Sequence, residues 1–140
     1  MKNRLLILSI FAAMSTASIH AQEPVKLKVN IPFGFHVGPT AMPAGVYNLQ
    51  NGRAARGMLT VTSPTGEVAG VNIGTIPNTT AHAPKSGKLV FHKYGGDYFL
   101  YQVWSPESTA VATLPACAQE REMIAKGKNP DQTILAARRR

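Results

Sequence analysis

Residues 25–31 read V-K-L-K-V-N-I, so Val25, Leu27, Val29 and Ile31 fall on one side of an extended chain and Lys26, Lys28 and Asn30 on the other. Successive side chains of a strand point to opposite faces, and this period of two predicts a half-buried strand. Pro32 interrupts the alternation and residues 33–37, F-G-F-H-V, resume it, which predicts one bent edge strand or two short ones. Met42-Pro43-Ala44-Gly45 predicts a turn ahead of a strand over 46–50. Asn51-Gly52 suits a tight hairpin turn, yet the next apolar run begins at Met58, so the arginine-containing stretch 53–57 is read as a longer loop. Residues 58–62 then form a strand, 63–66 a turn, 67–76 the returning strand, and the Pro-, Thr-, Ser- and Gly-rich residues 77–87 a loop.

The densest apolar pattern follows. Residues 88–94 and 97–104 flank Gly95-Gly96, a pair able to take the positive φ angles of a two-residue hairpin turn. That register sets Phe91 opposite Leu100, Val90 opposite Tyr101 and His92 opposite Phe99. One face then carries Leu89, Phe91, Tyr98, Leu100 and Trp104, and the other Val90, Phe99, Tyr101 and Val103. Two apolar faces require cover on both sides, a second sheet on one and a helix or loops on the other. After Pro106 comes one more short apolar stretch, 110–114; residues 116–126 are good helix formers that follow Pro115 and end at Gly127. Pro130-Asp131 starts either one more short helix or a disordered arginine tail.

The first residues change where this fold is expected to live. Lys2 and Arg4, an apolar run over 5–13 continuing in small residues to Ala17, and a small residue at Ala21 before Gln22 have the order of a cleavable signal peptide, with cleavage after Ala21 preferred to cleavage after Ala17. The run is broken by Ser15, Thr16, Ser18 and His20 before reaching the roughly 20 residues a membrane span needs, so no transmembrane anchor is expected after cleavage. The 140 residues carry a net charge of +8; without Lys2 and Arg4, thirteen basic residues face seven acidic ones, a charge of +6. Arg121, Lys126, Lys128 and Arg138 to Arg140 hold much of the excess. A solvated, frayed terminus is the simplest reading of that tail, and attraction to an anionic envelope surface or polysaccharide is the functional one. The single cysteine, Cys117, cannot form an internal disulfide and is read as a small buried hydrophobe in preference to a free thiol.

The segments V-N-I-P-F-G-F-H-V-G, M-P-A-G-V-Y-N-L, L-V-F-H-K-Y-G-G-D-Y-F-L-Y-Q-V-W and L-P-A-C-A-Q-E-R-E span roughly residues 25–126. Together they resemble an uncharacterised family of small exported β-rich proteins of acidobacterial type. The resemblance implies export and a β-rich fold and assigns no activity, so it transfers no catalytic or binding residue. It also implies that Ser often stands where this chain has Cys117, which argues against an essential thiol.

Few residues suggest chemistry. There is no G-x-S-x-G, and Cys117 lies on the expected helix with no histidine near it in sequence. His36, His82 and His92 lack metal-ligand spacing, so satisfied strand histidines are the favoured reading and no metal or cofactor is implied. The seven carboxylates, among them Glu67, Asp97, Glu107 and Glu120, show no spacing that nominates a pair. Glycines 34, 38, 45, 52 and 57 fall at turns and breaks without forming a phosphate loop, and nothing points to nucleic acid. Aromatic side chains crowd the 88–104 hairpin; most belong to a packed core, which leaves Tyr94, Tyr98 and Trp104, with Lys93 beside them, as candidate surface contacts.

These readings predict a signal peptide (1–21), a β-rich domain (22–115), a packed C-terminal helix (116–127) and a basic tail (128–140). The fold class is mainly all-β, a single antiparallel β-sandwich or squat barrel of about six to eight strands. The expected function is that of an exported envelope or secreted protein, periplasmic or extracellular, acting as a non-enzymatic interaction or structural module. The alternative is a carrier of a small ligand or lipid in a pocket between sheet and helix.

Overall fold

Strict alternation builds the first wall of the molecule. A computed structural model describes residues 25–52 and 57–139; the expected signal segment and most of the arginine-containing loop lie outside the described residues. Strand β1 (Val25–Ile31) pairs antiparallel along its whole length with β4 (Gly45–Gly52), from Val25 opposite Asn51 to Ile31 opposite Gly45. β5 (Met58–Thr62) adds to β4, and β6 (Val71–Gly74) adds to β5 across the turn in which Gly66 N–H donates to the Ser63 carbonyl. Leu27, Val29, Ile31, Tyr47, Leu49, Leu59 and Val61 are buried, and the residues between them face outward.

Between β1 and β4 the chain makes two short strands, β2 (Phe35–Val37) and β3 (Thr40–Met42), a hairpin hinged at Gly38 with φ +56°. The interruption at Pro32 therefore separates two strands. The returning segment after β5 also divides: β6 ends at Gly74, and β7 (Ile76–Thr79) follows after Thr75. Pro77 and Asn78, expected in a loop, lie in β7, where Pro77 stands opposite Ala112 on an edge that needs no donor from it.

The long hairpin consists of β8 (Gly87–Tyr94) and β9 (Asp97–Trp104). Gly95 takes φ +63° at the first turn position, as a type II′ turn requires. Phe91 faces Leu100 and His92 faces Phe99 as the pattern predicts, but Val90 faces Gln102, because Tyr101 is an extra residue in β9. The bulge reverses the parity of everything beyond it. Val103, not Trp104, thus joins Leu89, Phe91 and Leu100 in the core. β10 (Ala110–Thr113) adds to the Trp104 end of β9 and carries β7, while β2 pairs parallel to β9 at His36 and Phe99.

The helix α1 (Ala118–Ala125) is shorter than the expected 116–126. Its end is a Schellman motif: Lys128 N–H donates to the Met123 carbonyl and Gly127 N–H to that of Ile124, with Gly127 at φ +77°. The largest departure comes next. Residues expected to be a short helix or an unstructured basic tail form β11 (Asp131–Arg139), inserted between β8 and β1.

Among the described residues eleven strands, more than expected, make one sheet: nine in the order β3-β2-β9-β8-β11-β1-β4-β5-β6, with β10 and β7 branching from β9, nearly closed into a barrel and antiparallel except at β2–β9. β11 is what joins the two walls. At the remaining seam a side chain at Gly38 would collide with Ile73 of β6, so the β2–β3 turn closes directly against the last strand. Inside, Phe35 meets Tyr47 and Phe91 edge-on at centroid distances of 5.2 and 5.7 Å, and Phe33 packs edge-on against Phe91 at 5.1 Å. Each fully buried large apolar side chain contributes about 1.5–3 kcal/mol.

Candidate functional sites

Two places gather functional groups, one under the helix and one on the outside of the β11–β1–β4–β5–β6 wall. Under the helix, the outward face of the long hairpin carries Val90, Tyr94 and Phe99, all buried. α1 lies across its tip end and places Glu120, 7% exposed, against the sheet. Glu120 Oε1 stands 2.9 Å from His92 Nδ1 and accepts the Tyr94 hydroxyl at 3.0 Å. A carboxylate can only accept, so both bonds require a proton on the partner, on the Tyr94 hydroxyl and on His92 Nδ1. The imidazole stacks on Tyr101 at 3.9 Å, and His36 stacks on Phe99 at 4.7 Å. Burial, reinforced by the hydrogen bond to Glu120 and its charge, pushes the Tyr94 phenol up to about 12.

A histidine oriented by a carboxylate is half of a hydrolytic constellation. Here the third group is Tyr94, which donates to the same oxygen, so the cluster ties helix to sheet. Cys117 is half-buried at the N-cap position of α1 and makes no side-chain capping bond. Among the described residues no group of three or more His, Cys, Asp or Glu could hold a metal ion.

The candidate contact residues separate. Tyr94, the last residue of β8, is buried against Glu120 of α1, so it is not a surface residue. Tyr98 is half-buried, stacked on Phe33 at 3.8 Å, with Lys93 Nζ 5.5 Å from its ring centre. Trp104, half-buried at the far end, donates from Nε1 to Gln102 at 3.1 Å and carries Lys88 Nζ 3.9 Å over its ring. The hairpin does not bring the four into one patch.

The outer wall has a different character. Its pairing aligns Arg138, Lys28, Asn48 and Thr62 in one row across β11, β1, β4 and β5, and Lys26, Gln50, Thr60 and Asn72 in the next across β1, β4, β5 and β6. Rows lie one residue pair apart on each face, about 7 Å, and neighbours within a row about 5 Å. Lys26, Lys28, Asn72 and Arg138 are exposed and the amides and hydroxyls between them half-exposed. Thr60 Oγ1 donates to Asn72 Oδ1 at 2.6 Å, whereas the buried Asn48 Oδ1 has no hydrogen-bond partner among the described residues. No acidic residue occupies an outward position of these five strands among the described residues.

Sequence reasoning missed both sites for one reason: each depends on strand and helix placement. The alternating Lys26 and Lys28 were visible, but their neighbour Arg138 required β11. Elsewhere, a cleft of about 220 Å³ at the barrel end is lined by Pro43, Tyr47, Pro64 and Val68, with Glu67 at its edge. Among the described residues no helix is long and apolar enough to cross a membrane. Comparison with protein-family models, curated proteins and solved structures finds no match.

Proposed function

We propose that the chain is an exported, non-enzymatic module that works by binding through its outer surface in the periplasm or outside the cell. The observation that carries this reading is the contrast between a barrel interior filled by Phe35, Tyr47, Phe91 and their neighbours and an outer wall that presents ordered cations, amides and hydroxyls. A carrier needs unfilled apolar space, and the groups that meet between sheet and helix, Glu120, His92 and Tyr94, are polar and bonded to one another. The pattern of residues 1–21 and the resemblance to exported β-rich proteins support the location.

Native mass spectrometry of the protein recovered from its own host, compared with the same sample denatured, tests the proposal. A mass beginning at Gln22 in the extracytoplasmic fraction, without a retained small molecule, is the expected result. An intact Met1 in the cytoplasm overturns export, and a stoichiometric small molecule released on denaturation overturns surface binding in favour of carriage.

A further inference from the structure

We propose that the outer wall formed by β11, β1, β4, β5 and β6 binds an acidic polysaccharide, a chain of sugars bearing carboxylates at regular intervals. The inference rests on the surface-binding reading above and names its partner. It begins with the like-charged pair Lys28 and Arg138, directly opposite one another on neighbouring strands. Such pairs disfavour the sheet they sit in. Both side chains are exposed, and among the described residues no outward acid on the wall offsets them. Lys26 adds a third cation two residues along the same face. The free protein thus holds a line of cations that an external anion would neutralise.

Charge alone would suit any polyanion; what stands beside it narrows the class. Asn48, Gln50, Thr60, Thr62 and Asn72 continue the two rows away from the cations. Planar amides and short hydroxyls are both donors and acceptors, the complement of sugar hydroxyls, which are both as well. Asn48 Oδ1 is buried and has no donor among the described residues, and rotation of its amide would present that oxygen to an incoming hydroxyl. A sugar chain lying across the strands would set carboxylates on Lys26, Lys28 and Arg138 and hydroxyls on the amide rows. A lipid surface uses the cations but leaves the amide rows idle and favours inserted apolar side chains; duplex DNA also uses the cations and ignores the amides.

The test uses the full chain, purified from the fraction in which its host keeps it, and measures binding to polygalacturonate, dextran, phosphatidylglycerol vesicles and duplex DNA at low and moderate salt. Expected are salt-sensitive binding to polygalacturonate, none to dextran, and affinity for vesicles and DNA at least tenfold weaker. The double variant Lys28→Glu, Arg138→Glu should lose at least tenfold in polygalacturonate affinity. Gln50→Ala with Thr60→Ala should lose several-fold for polygalacturonate while leaving residual vesicle and DNA binding unchanged. Unaltered circular dichroism and melting temperature show that each variant is folded; should the double-charge variant fail that check, Lys28→Gln alone decides, with a loss of threefold or more expected. No binding to polygalacturonate, equal binding to all polyanions, or indifference to the amide substitutions overturns this proposal. Because the exported-module reading is decided by fractionation and native mass, it survives or falls separately.

Discussion

Strands β1, β4 and β5 bury every second residue and leave the others to water, whereas β8 and β9 bury residues on both faces. The first wall could be read directly from its alternation, and its outer side became a surface of cations, amides and hydroxyls. The second wall announced only that it needed two covers. The barrel interior supplies one, and α1 with His36 supplies the other, at the cost of placing a carboxylate, an imidazole and a phenol in a confined space. The same sheet is thus a solvent-facing platform on one side and a covered polar cluster on the other.

The strongest way to break this contrast is to remove Phe91, fully buried between Phe33 and Phe35. Phe91→Ala should cost about 3–5 kcal/mol through lost burial and a residual cavity. Gln50→Ala, on the outward side of the other wall, should stay within about 0.5 kcal/mol of the parent. Urea denaturation of both variants measures the difference.

Second in size is the cover itself. Glu120→Ala leaves the Tyr94 hydroxyl and His92 Nδ1–H without their acceptor, and unpaired buried donors of this kind cost about 1–3 kcal/mol. Removing the acceptor together with the donor should be milder, so the double variant Glu120→Ala, Tyr94→Phe is expected to recover part of the loss in the same denaturation assay. Additive losses would mean that the two groups do not act on one another.

Much of this architecture was legible, and the failures have identifiable physical causes. The hairpin register held from Tyr94 to Phe91 and failed at Tyr101, because a bulge made by an ordinary residue leaves no sequence mark and flips the facing of Val103 and Trp104. β11 escaped because D-Q-T-I-L-A-A-R-R has no alternation and several good helix formers; pairing with β8 and β1 overrides that preference, since strand propensity is largely packing in disguise. Glu120 lay in an ordinary helical stretch, and only the crossing of α1 over Tyr94 and His92 gives it a role.

A finer probe of the covered cluster is alkaline pH. An unfolded tyrosine loses its proton near pH 10, about the ordinary value. Tyr94 keeps its own until about 12, because burial first and Glu120 second disfavour the phenolate. The folded state therefore holds more protons than the unfolded state between those limits. The contribution of Tyr94 is complete below pH 10 and is lost as the pH climbs toward 12. In Tyr94→Phe the fall of stability across this window should be shallower, with a remainder from Tyr47, whose phenol is also raised by burial. Denaturation midpoints at stepped alkaline pH measure this; equal slopes in the two proteins would remove Tyr94 from the account.

The smallest effect has the opposite sign and belongs to the outer wall. Lys28 faces Arg138 across β1 and β11, so Lys28→Glu replaces a repulsive pair with an attractive one. Cross-strand charge pairs on exposed sheet faces are worth roughly 0.2–1 kcal/mol, and screening by salt reduces the gain. The variant should be more stable than the parent by a few tenths of a kcal/mol at low salt, with the advantage fading as salt is added. A destabilised Lys28→Glu would instead mean that the lysine is balanced within the chain, and the platform would lose the excess charge on which its proposed ligand depends.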